Sequence, residues 1–454
     1  MRHHPTLSLA ATALTVSLWA LPVIGEEHQV APSGLQVIWS TPITLETVPP
    51  PEVGKPYIRP RENGISLGQS VDRNGRITFL ARWSDFSSSA NVLLEDFERN
   101  GFQKMTQIQL KGTQADSPST LLARVFGTKE NAYSRIPSIG SMTVDNQNRT
   151  WVGGATDYHM GIASDQHSRA YLAQLDGAGT PVWEKSYETG NVPFVVSITP
   201  ASNGNVLVAA NDGWFQPSWL AMIAASDGTI VWEQHIGNGK GIVVARAAED
   251  AFLVANFEAT GTDRVYEEGV AVQKVTADGK VGPSTIVRPS INTQKGASYG
   301  SLSISPTNDG AYIVSSWEVP FEQNPALFKP AEIAKVDMEG RLLWRVTIPM
   351  SFVANADRAG ATFCNQPAVV TLPNGDALVA CALKGKIYAH AFNLLTGDQK
   401  QASFPVPSCN DGEHPVALSL FVRPNGQVLV SGTRPGGNVG PGCSWLAHLP
   451  SSGA

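Results

Sequence analysis

Tyr171-Leu172-Ala173-Gln174-Leu175, followed by Gly179 and Trp183, is the stretch on which the fold turns, because the chain repeats it. Trp219-Leu220-Ala221-Met222-Ile223 leads in the same way to Gly228 and Trp232, and Glu332-Ile333-Ala334-Lys335-Val336 leads to Gly340 and Trp344. Trp stands four residues after Gly in each copy. Copies without the Trp end in turns at Asn100-Gly101, Asp278-Gly279 and Thr396-Gly397. The turn glycines from Gly179 onward are roughly 50 to 60 residues apart, the spacing of one supersecondary unit per repeat. An apolar run, a turn and a second run with a bulky ring read as the third and fourth strands of a small antiparallel sheet.

The first two strands of each unit are read from hairpins that begin near Ile65, Ser138, Phe194, Ile242, Ser301, Pro367 and Pro415. Several turn at Asn-Gly pairs, namely Asn74-Gly75, Asn203-Gly204, Asn374-Gly375 and Asn425-Gly426. Both residues of such a pair accept the positive φ of a tight hairpin. Seven hairpins, each followed by two strands, predict an all-β seven-bladed β-propeller. The seventh unit, Trp445-Leu446-Ala447-His448-Leu449 with Gly453, stops before its fourth strand. Gly34 to Trp39 resembles that missing strand, so the N-terminal strand is expected to complete the last blade and remove an open sheet edge.

The bulk composition agrees with short strands and turns. Gly (42) and Pro (31) are abundant while charged residues make only 16% of the chain, which disfavours long salt-bridged helices. A net charge of -6 offers no basic surface for nucleic acid or anionic membrane, and neither partner is expected. Residues 1–25 read as a signal peptide: Arg2, an apolar run from Leu7 to Leu21, and small residues around Gly25. A mature single domain over residues 26–454, secreted or periplasmic and without membrane insertion after signal removal, is the resulting expectation.

The tandem units resemble those of secreted bacterial β-propeller repeat families, over roughly residues 34 to 454. Ala225-Ser226-Asp227-Gly228-Thr229-Ile230-Val231-Trp232 is also similar to the tryptophan docking repeats of pyrroloquinoline quinone enzymes. That second resemblance implies eight blades and commonly a vicinal cysteine pair. This chain departs from it with seven units and no adjacent cysteines, so no cofactor is expected.

Candidate chemistry is sparse. Gly64-Ile65-Ser66-Leu67-Gly68 spells a hydrolase nucleophile motif but opens a strand instead of a strand-to-helix elbow, and so carries no nucleophile. Asp157, His159 and His167 share a polar loop whose spacing matches no zinc pattern, and no metal is expected. Trp183, Trp232 and Trp344 keep a fixed register, as packing positions must. Candidate binding residues are therefore sought where loops break the register, all on one face: Asp157, His159 and His167; Trp214 and Phe215; Trp317; and Asp357 with Arg358. Phe257 to Glu268 is read as another such loop. Exposed aromatics beside charged groups suit a protein or glycan ligand. The leading functional expectation is an exported non-catalytic binding or scaffold protein. The alternative is an enzyme with an axial site, either a polysaccharide lyase or hydrolase or a quinone-dependent dehydrogenase. Cys364, Cys381, Cys409 and Cys443 close to two expected disulfides, Cys364 with Cys381 and Cys409 with Cys443.

Overall fold

The computed structural model describes residues 39–42, 65–71, 77–84, 89–98, 101–108, 138–156, 169–177, 179–190, 194–211, 216–237, 241–248, 251–262, 265–294, 299–318, 331–348, 367–383, 386–405, 417–434 and 443–449. All of the regular structure in them is β. Strand β1 (Trp39–Pro42) comes first. Four strands follow as the first sheet: β2 (Ile65–Val71), β3 (Ile77–Ser84), β4 (Ser89–Glu98) and β5 (Gly101–Ile108). The second sheet is β6 (Ser138–Val144), β7 (Thr150–Thr156), β8 (Arg169–Leu175) and β9 (Pro181–Tyr187); the third is β10 (Phe194–Pro200), β11 (Val206–Asn211), β12 (Ser218–Ile223) and β13 (Ile230–Ile236). The fourth has longer strands: β14 (Ile242–Ala248), β15 (Ala251–Thr262), β16 (Val265–Thr276) and β17 (Thr285–Gln294). The fifth is β18 (Tyr299–Thr307), β19 (Gly310–Glu318), β20 (Glu332–Asp337) and β21 (Leu342–Thr347); the sixth is β22 (Ala368–Thr371), β23 (Ala377–Leu383), β24 (Lys386–Phe392) and β25 (Gln399–Pro405). The last comprises β26 (Ala417–Val422), β27 (Val428–Arg434) and β28 (Cys443–Leu449), with β1 antiparallel to β28 and Trp39 opposite His448.

The all-β reading holds, and the architecture built on it is corrected. Seven four-stranded antiparallel sheets are present, and none curls onto itself or shares a hydrogen-bonded ladder with the next. The expected closed seven-bladed propeller is therefore replaced by a coarser description, an all-β array of separate sheets, and the resemblance to propeller repeat families is not carried further. Neighbouring sheets meet through side chains. The first strands lie against one another in sequence from β2 to β26, and β26 also meets β2.

Burial explains why these residues form these strands. Second and third strands, such as β11 and β12, are buried on both faces, and their apolar runs are nearly unbroken. Fourth strands such as β13 and β21 alternate between exposed and half-buried positions, as a sheet edge does. A β-bulge precedes each Trp: the register skips Val182, Val231 and Leu343, all of which are exposed. The extra residue twists the edge and blunts it against pairing with another chain.

The Trp positions dock each sheet on its successor. Trp183, Trp232 and Trp344 donate their indole N–H to the carbonyl oxygens of Ala225, Ala277 and Leu394, at 3.0, 2.7 and 3.1 Å. Each indole lies over the glycine of the turn it reaches. Gly228 has φ +72°, and a Cβ there would meet Trp183 at 2.7 Å. Gly228→Ala should cost about 2 kcal/mol, from the left-handed backbone and the clash together, while Gly177→Ala, with open space around it, should be close to neutral. Chemical denaturation of the two variants checks this; equal midpoints would refute the dock.

A second inter-sheet device uses turn carbonyls. Arg149 donates to Gly204 O at 2.6 Å, Tyr187 to Gly228 O at 2.8 Å and Tyr312 to Gly375 O at 2.7 Å. Arg149 is itself fixed by buried Asp145, which also accepts the indole N–H of Trp151. Between first strands the link is made by hydroxyls: Ser305 accepts the N–H of Thr371, whose own hydroxyl donates to Pro306 O.

The expected disulfides are also corrected. No Sγ–Sγ pair is described among these residues, so neither the Cys364–Cys381 nor the Cys409–Cys443 pairing is supported. Cys381, buried in β23, is not a free thiol. Cys364 and Cys409 lie outside the described residues, and Cys443 is described only by its backbone, opposite Arg434.

Candidate functional site

Among the described residues, the repeat is broken most clearly between the fourth and fifth sheets. In the second and third sheets the first residue of the quoted five is aromatic and hydrogen-bonds a carboxylate on the fourth strand. The Tyr171 hydroxyl donates to Glu184 at 2.7 Å, and the Trp219 indole N–H donates to Glu233 at 2.8 Å. Burial and the Glu184 carboxylate push the Tyr171 hydroxyl far up from its ordinary value. In the fifth sheet the aromatic position is Glu332, and the residue after the Trp is Arg345. The fourth sheet, whose edge strand lacks the docking Trp, supplies Arg288 instead.

Glu332 Oε2 stands 3.5 Å from Arg288 Nε and 3.4 Å from Arg345 Nε. These are ion-pair distances; the buried oxygen has no hydrogen-bond partner. Arg288 is 4% exposed and donates through Nη1 to the carbonyl oxygen and the hydroxyl of Ser315, at 3.1 and 3.0 Å. Arg345 donates to Val287 O at 3.1 Å, tying the two edge strands together. Burial pulls the Arg288 guanidinium down to about 10; the Glu332 carboxylate works the other way and Arg345 adds to the lowering. It remains charged at neutral pH. Among the described residues two guanidiniums stand against one carboxylate, and Arg345, at 36% side-chain exposure, reaches solvent. A planar guanidinium so placed suits a carboxylate or sulfate group.

The fourth sheet also extends beyond the strand position of Arg288. Phe257 to Glu268, expected as a loop, is mostly strand: β15 and β16 pair without a break from Ala251 opposite Thr276 to Thr262 opposite Val265. The hairpin extends past the level at which Arg288 pairs with Val270. The pairing is unbroken over twelve residues of each strand, as β-rich positions such as Val265-Tyr266 permit.

None of the residues singled out from sequence is described in this cluster. Asp157, His159, His167, Trp214, Phe215, Asp357 and Arg358 lie outside the described residues. Trp317 is in β19, opposite Gly300, with only its backbone described. Arg288, Glu332 and Arg345 were missed because each sits within a strand and not in a variable loop. Aligning the third-strand copies gives the signal: Tyr171, Trp219 and Glu332 share one position.

No family model and no curated protein matches the chain. Solved structures do. The chain is similar to polysaccharide lyase Uly1, with 9% identity over 91% of this chain and 99% of that one, at a TM-score of 0.52. It is similar as well to a PL25 ulvan lyase bound to GlcA(1-4)Rha3S, with 10% identity over 87% of this chain and 95% of that one, at a TM-score of 0.50. At such identities the likeness is one of fold. The expectation of a non-catalytic scaffold is not carried further, since these two similar structures are named as polysaccharide lyases.

Proposed function

We propose that the protein is an exported enzyme acting on an acidic polysaccharide, with elimination at a uronate as the first chemistry to test. The observation that carries this reading is the Arg288–Glu332–Arg345 cluster, which places the part-exposed Arg345 guanidinium where the repeat is broken. The shared fold supplies the substrate class, since both similar structures are named as polysaccharide lyases and one of them holds a glucuronate-containing ligand. A guanidinium on the sugar's acid group stabilises the charge that develops when the neighbouring proton leaves. The signal-like N-terminus adds support for export to where such polymers occur.

The test is to incubate the purified protein with uronate-containing, sulfated and neutral polysaccharides and follow both reducing ends and the ultraviolet absorbance of an unsaturated product. Acidic substrates should be cleaved with a rise in absorbance. Reducing ends without absorbance would indicate hydrolysis, and no turnover on any acidic polymer would sink the proposal. Arg345→Gln should raise KM on a cleaved acidic substrate about tenfold, the loss of one charge-assisted contact, with a much smaller effect on kcat.

A further inference from the structure

His390 occupies a position that four copies of the repeat fill with alanine. The third residue of the quoted five is Ala173, Ala221, Ala334 and Ala447 in four copies and Gln273 in the fourth sheet; in the sixth it is His390, with the preceding large residue reduced to Ala389. The ring is 0% exposed, and neither Nδ1 nor Nε2 has a hydrogen-bond partner. It pairs across the sheet with Val379 and Gln401 and stacks on Phe392 with centroids 6.3 Å apart. Phe392 and Val379 pack in one apolar cluster with Tyr312, Val314, Ile333 and Trp344 of the fifth sheet, so His390 stands on the face that joins the two sheets.

We propose that His390 is an acid-sensitive latch between the fifth and sixth sheets: neutral, it packs as an apolar ring, and protonated, it forces that interface to open. An imidazolium there would have two N–H donors and no acceptor for either. The charged and titratable groups on the same packed faces are already engaged. The Lys335 ammonium, on the facing sheet, bonds Asp309 at 2.6 Å and stands over the Tyr312 ring, whose hydroxyl donates to Gly375 O. On the same side of β24 is Tyr388, opposite Cys381. Lys335 is a like charge, Asp309 is spent on it, and Asp376, near enough to act on the Tyr312 hydroxyl, accepts from Leu394 N–H and Asn374, so no described carboxylate bonds His390.

Burial pulls the ring down from 6.5 to about 4. A depressed value means the unfolded chain binds the proton first, so the stabilisation is complete above pH 6.5 and is lost as pH falls through about 4. Between pH 7 and pH 4 the folded-to-unfolded ratio should fall on the order of 100-fold through this group alone.

The experiment is denaturant unfolding of the full chain at pH 7 and pH 4 for wild type, His390→Ala and His390→Gln, the two side chains that the repeat uses there. Wild type should lose on the order of 100-fold more than either variant over that interval. Equal losses in wild type and a folded variant would overturn the proposal, and the Gln variant decides if the Ala variant does not fold. Hydrogen exchange on wild type gives an independent reading: protection factors in β24 should collapse at pH 4 while those in β12 persist. Retained protection in β24 would overturn the proposal whatever the variants do.

Discussion

Trp219→Ala should destabilise the protein by about 3 to 5 kcal/mol, the usual cost of removing a large buried ring from a core that cannot collapse around the void. Trp219 is completely buried and belongs to the cluster that joins the second and third sheets, with Trp151, Leu172 and Tyr187 from one and Val208, Ala221 and Ile223 from the other. Its ring centroid is 5.5 Å from that of Tyr187. Truncation also takes the indole donor from Glu233, a half-exposed carboxylate to which water can return, so the packing term dominates. Urea unfolding should show a lower midpoint with an unchanged slope, as expected when the native state loses stability without a change in its extent. Trp219→Phe, which keeps most of the ring volume and loses the N–H, should cost about 1 to 2 kcal/mol. A loss below about 1 kcal/mol for the alanine variant would mean that these sheets do not depend on each other at this point.

The same interface marks what could be read from sequence. The five-residue run, the Gly turn and the Trp located third and fourth strands, because burial on both faces demands a continuous apolar run and a tight turn demands a residue tolerant of positive φ. Fixed register also identified Trp183, Trp232 and Trp344 as packing residues, and each indole docks on the next sheet's turn. Counting units says nothing of how sheets join, and there the expectation of a closed propeller failed. Register-breaking loops are where the sequence points for function, yet the polar departures Glu332 and His390 are inside strands. Glu332 replaces an aromatic residue and His390 replaces alanine. Neither is visible in composition or loop length, since a strand accepts one substitution without changing its periodicity. Both become visible when the copies are laid over one another position by position. The partners of Glu332 could not be found that way: Arg288 comes from another sheet, and only packing brings it near.

Arg288→Ala should cost about 3 to 5 kcal/mol, the penalty for breaking a buried ion cluster by removing one partner. The guanidinium is nearly inaccessible, so solvent screening offers little relief, and its loss leaves both the Ser315 hydroxyl and the Ser315 carbonyl without this donor. Glu332 would keep Arg345 at 3.4 Å, and Arg345 would keep Val287 O, so the two edge strands stay tied while the links from β17 to Ser315 and Glu332 are lost. Replacing the buried pair together, Arg288→Met with Glu332→Leu, should recover most of the loss, because well-packed apolar groups avoid the desolvation that two buried charges must overcome. That double variant separates the cluster's two roles. If it folds as well as wild type and no longer discriminates acidic from neutral polysaccharides, the charges are there for binding and not for holding the fourth sheet to the fifth. Full discrimination in a stable double variant would place acid recognition on Arg345 alone or elsewhere in the chain.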